Sequence, residues 1–291
     1  MRFAILGPLR AGDAVLTAAR DRIVLAMLLV HADRIVALDE LVDAVWGEDP
    51  PATARGQLQT CVSRLRRLLP PATIWTHPSG YGVRLEPDDL DAAVFAQLVA
   101  RARAGTDADT SRKLLREALN LWRGPALPGI ESRSVRRAAT VLDEQHAVAT
   151  EDWVDLELAG GRARDLIAEL GSMVEQFPLR ERLRGQLMRA LADAGRSADA
   201  LAEYDRIAAA LRDGLGLEPG PELREIRSRV QQGDTGPDEQ VVRALPRTVS
   251  DFTGRGSVLD RLLAAIDDAG DTPVLQVIDG MAGVGKPNPG I

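Results

Sequence analysis

The sequence predicts a mainly α protein, with an α+β domain at its N-terminus followed by an all-α domain. Three observations carry that prediction. Residues 1–85 set short alternating apolar runs, bounded by Gly and Pro, among helical patterns. From Leu90 to Val230 the apolar residues recur at helical spacing, and Gly or Pro punctuates that stretch about once per helix or helix pair. With 291 residues and 45% apolar content, the chain has material for about two packed domains.

The first element is a strand pair: Arg2 to Leu6 and Asp13 to Leu16 flank Gly7-Pro8 and Gly12, which read as turns. A helix follows from about Ala18 to Ala32. Ile23, Leu25, Ala26, Met27, Leu28 and Val30 make it apolar on most sides, so it is expected in the core. Leu38, Leu41, Val42, Val45 and Trp46 place a second helix, ended by Gly47 ahead of Asp49-Pro50-Pro51. Glu40 would complete a capping box, but Ala37 holds the cap position and has no side-chain oxygen to accept the backbone hydrogen bond.

A third helix is expected from about Ala52 to Leu69, closed by Pro70-Pro71. Ala54, Leu58, Cys61, Val62, Leu65, Leu68 and Leu69 share one face. The opposite face carries Gly56, Thr60, Ser63 and Arg67, with Gln57 and Arg64 on one flank and Arg55, Gln59 and Arg66 on the other; no acid occurs in the helix. Arg suits guanine edges and phosphates, Gln suits adenine, and Ser or Thr suits either, so this ridge holds the groups that DNA readout requires. An Arg-rich exposed face is often only solvated; context favours readout here. A short Pro-containing connection joins two helices, the second cationic and acid-free. A hairpin follows, with Thr73–Thr76 and Gly82–Leu85 bracketing His77-Pro78-Ser79-Gly80-Tyr81, and the whole makes a winged helix-turn-helix.

The charge distribution agrees. A net charge of −7 argues against indiscriminate nucleic-acid binding, but residues 1–85 hold 10 Arg against 8 acids, a balance of +2, leaving −9 for the remainder. Only two of the 36 basic residues are Lys, so Arg would make nearly every contact; a high-GC genome produces the same bias. A single cysteine, Cys61, cannot form an intrachain disulfide, and His31, His77 and His146 lack metal-ligand spacing, so neither metal nor cofactor is expected. No apolar run is long enough to cross a bilayer, and Met1-Arg2-Phe3 leads into alternating residues rather than a secretory signal. A cytoplasmic, nucleoid-associated protein with no membrane partner is the expectation.

Breaks at Gly105, Gly124-Pro125, Pro128-Gly129, Gly160-Gly161, Phe177-Pro178, Gly195 and Gly214 divide the middle of the chain into helices that would stack as hairpins. Leu187, Gly195, Ala200 and Tyr204 match several tetratricopeptide positions, a partial resemblance. Trp122 and Trp153 read as core more than as interface anchors, and the many carboxylates read as solvated faces, so no catalytic residue is assigned and no enzyme is expected.

Taken together, Arg22 through Leu85 resembles the OmpR-type DNA-binding domain of the Streptomyces antibiotic regulatory proteins. The resemblance rests on Leu38-Asp39-Glu40-Leu41-Val42-Asp43-Ala44-Val45-Trp46-Gly47, Pro50-Pro51-Ala52-Thr53-Ala54, Leu58 through Arg67, and Gly80-Tyr81. Leu114 through Leu127, Pro178 through Arg184 and Leu215 through Leu223 are similar to the bacterial transcriptional activation domain of the same family. The resemblance implies an activator of a secondary-metabolite cluster, bound as a homodimer to direct repeats in double-stranded promoter DNA and recruiting RNA polymerase through its sigma or alpha subunit. It implies that Thr60, Ser63, Arg64 and Arg67 meet bases or nearby phosphates, and that Arg66 and Arg22 meet the backbone. Arg84 would belong to the wing; Gln59 and Tyr81 complete the DNA-binding candidates. The loop Gly47, Glu48, Asp49, Pro50 and Pro51 would face the polymerase. Two departures, Ala37 and the weakly basic Ala18-Ala19-Arg20-Asp21-Arg22, imply somewhat looser DNA binding.

The expected domains are a winged helix over 1–90, the helical activation domain over 91–230, a linker over 231–246 and, over 247–291, the truncated start of an NB-ARC-type nucleotide-binding domain. Gly280, Gly285 and Lys286 have the G-x-x-x-x-G-K form, but Pro287 stands where a magnesium-binding hydroxyl belongs, so the phosphate loop reads as vestigial. Two rival readings are a nucleotide-dependent switch, disfavoured by Pro287, and a helical-repeat scaffold with little DNA affinity.

Overall fold

The fold is described from a computed structural model, which describes residues 2–71 and 73–233. The expected tail over 247–291, with Gly280, Gly285 and Lys286, lies outside the described residues, as does the linker beyond Gly233.

Strands β1 (Phe3–Ala4) and β2 (Arg10–Ala11) pair antiparallel. The second strand therefore precedes the expected Asp13–Leu16. Gly12, at φ 55°, turns the chain out of the pair; beyond it Ala14 and Leu16 lie half-buried against the core while Val15 is 76% exposed, so the alternation marks one packed face without strand pairing. Helix α1 (Ala19–Val30) is buried from Ile23 to Leu29, as its apolar surround dictates. A strand not read from the sequence, β3 (Val36–Ala37), leads directly into α2 (Leu38–Trp46). Ala37 indeed supplies no side-chain cap; the Leu38 amide instead donates to the Ser79 carbonyl at 2.9 Å, because β3 pairs with the hairpin. Helix α3 (Ala54–Leu68) is followed by β4 (Ile74–His77) and β5 (Gly80–Val83), in the sheet order β3-β5-β4. The hairpin turn is tighter than expected, with only Pro78 and Ser79 between the His77–Gly80 pair.

Seven helices complete the described residues: α4 (Asp91–Ala104), α5 (Ala108–Leu119), α6 (Arg133–Ala159), α7 (Ala163–Gln176), α8 (Glu181–Asp193), α9 (Ser197–Leu215) and α10 (Pro221–Gln232). The expected breaks fall between helices with one exception. Gly214 lies inside α9, and Gly216, left-handed at φ 67°, ends it. Likewise α10 runs two residues into the expected linker before Gly233 caps it at φ 74°. Trp153 belongs to the helical core. Half-buried Trp122 stacks on His146, their ring centroids 4.2 Å apart, and meets Phe95 edge-on at 5.5 Å. Buried Glu151 is held by Arg180 at 2.8 Å, and buried Arg184 and Glu203 pair with each other, so these carboxylates are structural.

The two halves share side chains. Ala126, Leu127, Ile130, Val135 and Ala139 complete the core around α1, while Leu6 enters the core of the helical half. At the joint Asp91, 2% exposed, accepts from the amides of Ile5 (2.8 Å) and Leu6 (3.0 Å) and from Arg123 (3.0 Å). The buried Ser132 hydroxyl, which caps α6, donates to the Ala44 carbonyl of α2 at 2.7 Å. No helix of the described residues is long and apolar enough to cross a membrane.

Candidate nucleic-acid interface

Helix α3 presents its polar ridge because Leu58, Cys61, Val62 and Leu65 lock the other side into the core against α1. Arg55, Gly56, Gln59, Thr60, Ser63, Arg66 and Arg67 are all exposed, while Gln57 and Arg64 are half-buried toward α1. Neither α3 nor the hairpin beside it holds an acidic residue from Ala54 to Val83; exposed Asp39 of α2 pairs with Arg55 at 3.0 Å at the edge of the ridge.

The expected contacts divide into tied and untied groups. Arg64 sends Nε and Nη2 to the two carboxylate oxygens of Asp21 at 2.8 and 2.7 Å, and Nη2 also reaches Cys61 Sγ at 3.4 Å. Asp21 is 4% exposed and Arg64 40%, so the pair is a half-sheltered bolt between α1 and α3. Burial by itself would raise the Asp21 carboxyl. The hydrogen bonds from Arg64 and Cys61 and the guanidinium charge outweigh it and hold the carboxyl below its usual range. Burial, with the Asp21 carboxylate next to it, pushes the Cys61 thiol up to about 11, which leaves it protonated and unreactive. A second bolt runs parallel: Arg20 donates to Gln57 at 2.5 Å and lies over the Trp46 ring at 5.3 Å.

Arg66 ties α3 to the wing, donating to the Ile74 carbonyl at 3.1 Å and to the Thr76 hydroxyl at 2.6 Å, with its guanidinium 5.9 Å from the Tyr81 ring. Tyr81 is buried beneath it, so its ring is a platform for Arg66 rather than an exposed contact. The Thr60 hydroxyl donates back to the Gly56 carbonyl at 3.0 Å. Gln59, Ser63 and Arg67 extend from the ridge without a hydrogen-bond or ionic partner among the described residues. Arg84 is exposed just past β5, and Arg22 is half-buried in the first turn of α1. Gly47 turns at φ 67° to end α2, and the five residues from Gly47 to Pro51 are all exposed.

Sequence reasoning placed Gln57 on the flank of the ridge but did not pair it with Arg20, and it did not single out Asp21 as the partner of Arg64. The available signal was an acid in the first turn of a helix otherwise apolar on most sides, since a carboxylate buried there needs a cation. Among the described residues no cluster of His, Cys, Asp and Glu is disposed to hold a metal ion.

Two family models match the chain: the C-terminal domain of transcriptional regulatory proteins over residues 12–81, and the bacterial transcriptional activator domain over residues 90–231. The regulatory protein AfsR of Streptomyces griseus is 36% identical over 98% of this chain, which spans 31% of that relative's length. The transcriptional regulatory protein EmbR of Mycobacterium tuberculosis is 33% identical, with 98% of this chain and 75% of the relative covered. The regulatory protein DnrI of Streptomyces peucetius is 30% identical over 82% of this chain and 94% of its own. A solved structure, Mycobacterium tuberculosis EmbR in complex with a low-affinity phosphopeptide, superposes with a TM-score of 0.73 at 35% identity, covering 79% of this chain and 64% of that one.

Proposed function

The chain belongs to the Streptomyces antibiotic regulatory protein family, and from that membership and the face of α3 we propose that it is a sequence-specific, DNA-binding transcriptional activator rather than an enzyme. The observation that carries this reading is the ridge of α3, a helix without acids of its own, on which Gln59, Ser63 and Arg67 stand untied beside a hairpin wing. Lying in the major groove, α3 would offer Gln59, Thr60, Ser63 and Arg67 to base edges or phosphates, with Arg22 and Arg84 on the backbone at either side. Arg64 and Arg66 take a different part. Both are committed within the protein, so they fix the angle of α3 against α1 and the wing, and each has only its remaining N–H groups for a phosphate.

The exposed loop Gly47–Pro51, with Glu48 and Asp49, is proposed as the polymerase-facing element, acting on the sigma or alpha subunit. Its anchoring by Ser132 through Ala44 supports a role for the helical half in holding it. Two copies side by side on direct repeats upstream of a secondary-metabolite promoter, in the cytoplasm, complete the proposal. Gly280, Gly285 and Lys286 are read as a remnant of an NB-ARC-type phosphate loop, with Pro287 in the place of the magnesium-binding hydroxyl arguing against ATP hydrolysis.

The test is binding of the purified chain to its own upstream and neighbouring promoter fragments at two salt concentrations with excess competitor DNA. Saturable binding to one fragment that survives competitor is expected. Binding that competitor abolishes on every fragment would transfer the assignment to a protein-interaction scaffold.

A further inference from the structure

Gly56 occupies a position where the fold demands nothing of a glycine. It is the third residue of α3, exposed, and its φ lies outside the left-handed region. A Cβ at this position would find no atom within 4 Å. The hairpin glycines differ: a Cβ on Gly80 would stand 2.0 Å from the Val36 carbonyl oxygen, and one on Gly82 would stand 2.5 Å from the Trp75 ring. Those two are required by the approach of neighbouring strands and side chains. In a helix glycine costs stability relative to alanine, because its unfolded state has more conformational freedom to lose. At Gly56 nothing within the chain offsets that cost.

The neighbours on the same face suggest what does. Gly56, Thr60, Ser63 and Arg67 follow one another along the outward side of α3. Thr60 and Ser63 have short side chains, and the Thr60 hydroxyl is drawn back onto the Gly56 carbonyl at 3.0 Å rather than extended. Such groups touch a base edge only if the helix backbone itself comes close to the floor of the groove. Because its hydrogen is used inside the helix, the Thr60 hydroxyl has lone pairs to offer outward, and its methyl group is the other recognition feature. These suit the amino groups of adenine or cytosine and the methyl of thymine.

We propose that Gly56 is a specificity-determining position: the missing side chain lets the first turns of α3 lie against the base edges of duplex DNA, bringing Thr60 and Ser63 within reach. The proposal rests on α3 being the DNA-reading helix. It gives fold and binding opposite preferences at one residue, alanine favouring the helix and glycine the complex.

The experiment compares the full chain with its Gly56→Ala and Gly56→Gln variants. Each is titrated with the promoter duplex that the unaltered chain selects and with an unrelated duplex of equal length, and each is melted thermally. Gly56→Ala should keep or raise the melting midpoint by about 1–4 °C. Its affinity for the selected duplex should fall about 5- to 100-fold, the size of a lost base-pair contact, with the unrelated duplex bound as before. Gly56→Gln should lose more. Equal affinity of the Ala variant and the unaltered chain for the selected duplex would overturn the proposal alone, as would a lowered melting midpoint, which would assign the glycine to the fold. If the unaltered chain discriminates between no duplexes, the reading role of α3 falls and this proposal with it.

Discussion

Replacing Asp21 with Asn tests whether the Asp21–Arg64 pair is a bolt or an incidental contact. The carboxylate accepts two charge-assisted hydrogen bonds, at 2.8 and 2.7 Å, from a site that is 4% exposed. Asn keeps the shape but offers a single oxygen, and it turns an amide NH2 toward the guanidinium, donor facing donor. A hydrogen bond to a charged group contributes about 1.5–3 kcal/mol, and solvent at Arg64 screens part of that, so the expected loss is about 1–3 kcal/mol. For a domain of this size each kcal/mol moves the melting midpoint by about 2–4 °C, which gives a fall of about 2–12 °C. The same substitution has a second, opposite readout. Without its counter-charge Arg64 becomes a net cation beside the DNA, and the slope of log affinity against log salt should steepen by about 0.9. Thermal melts and a salt titration on one duplex measure both. A melting midpoint within about 1 °C of the unaltered chain, together with an unchanged slope, would refute the reasoning.

Arg67→Ala should leave stability within about 0.5 kcal/mol, since the side chain has no partner among the described residues. On DNA it should either flatten the salt slope by about 1 or relax discrimination at one base pair, and binding assays across mutated operators that show neither would remove Arg67 from the interface. Burial holds the His146 imidazole below its usual value, against an opposing pull from Asp143. Because the folded value is the lower one, His146 contributes stability above about pH 6.5 that is lost as pH falls below it. His146→Phe should flatten the melting curve between pH about 7.5 and 5; an unchanged pH profile counts against the assignment. Asp91→Ala strips the Ile5 and Leu6 amides and Arg123 of their acceptor at a buried joint and should cost about 3–5 kcal/mol. Urea unfolding measures it, and a midpoint unmoved by the substitution would show that the joint is held elsewhere.

Much of this arrangement is written in short-range patterns. The burial of α1 follows from apolar residues on most of its turns, and the cationic face of α3 follows from one helical wheel. What periodicity cannot reveal is which of the Arg side chains on that wheel are already occupied. Arg64 meets Asp21 across 43 positions of sequence, and Arg20 meets Gln57 across 37; Asp21 sits beside an apolar stretch that announces only burial, and Gln57 reads as one more polar position of the ridge. The placement of β2 failed for a related reason. The alternation of Ala14, Val15 and Leu16 resembles a strand, but pairing needs a partner edge, and β1 is matched by Arg10–Ala11 before Gly12 bends the chain away. Strand β3 is two residues long and defined wholly by its partner in the hairpin, so no local pattern marks it.

The residues borrowed by the N-terminal core bear on how this chain can be divided. A fragment ending at residue 90 would retain α3 and the wing but lose Ala126, Leu127, Ile130, Val135 and Ala139, uncovering apolar surface around α1, and would leave the Ala44 carbonyl without Ser132. Chimeras that graft a foreign DNA-reading half onto this helical half, or the reverse, should therefore be joined so that the segment from Trp122 to Ala139 travels with its own α1 and α2. A swap cut at the apparent boundary would be expected to aggregate rather than to exchange one operator preference for another.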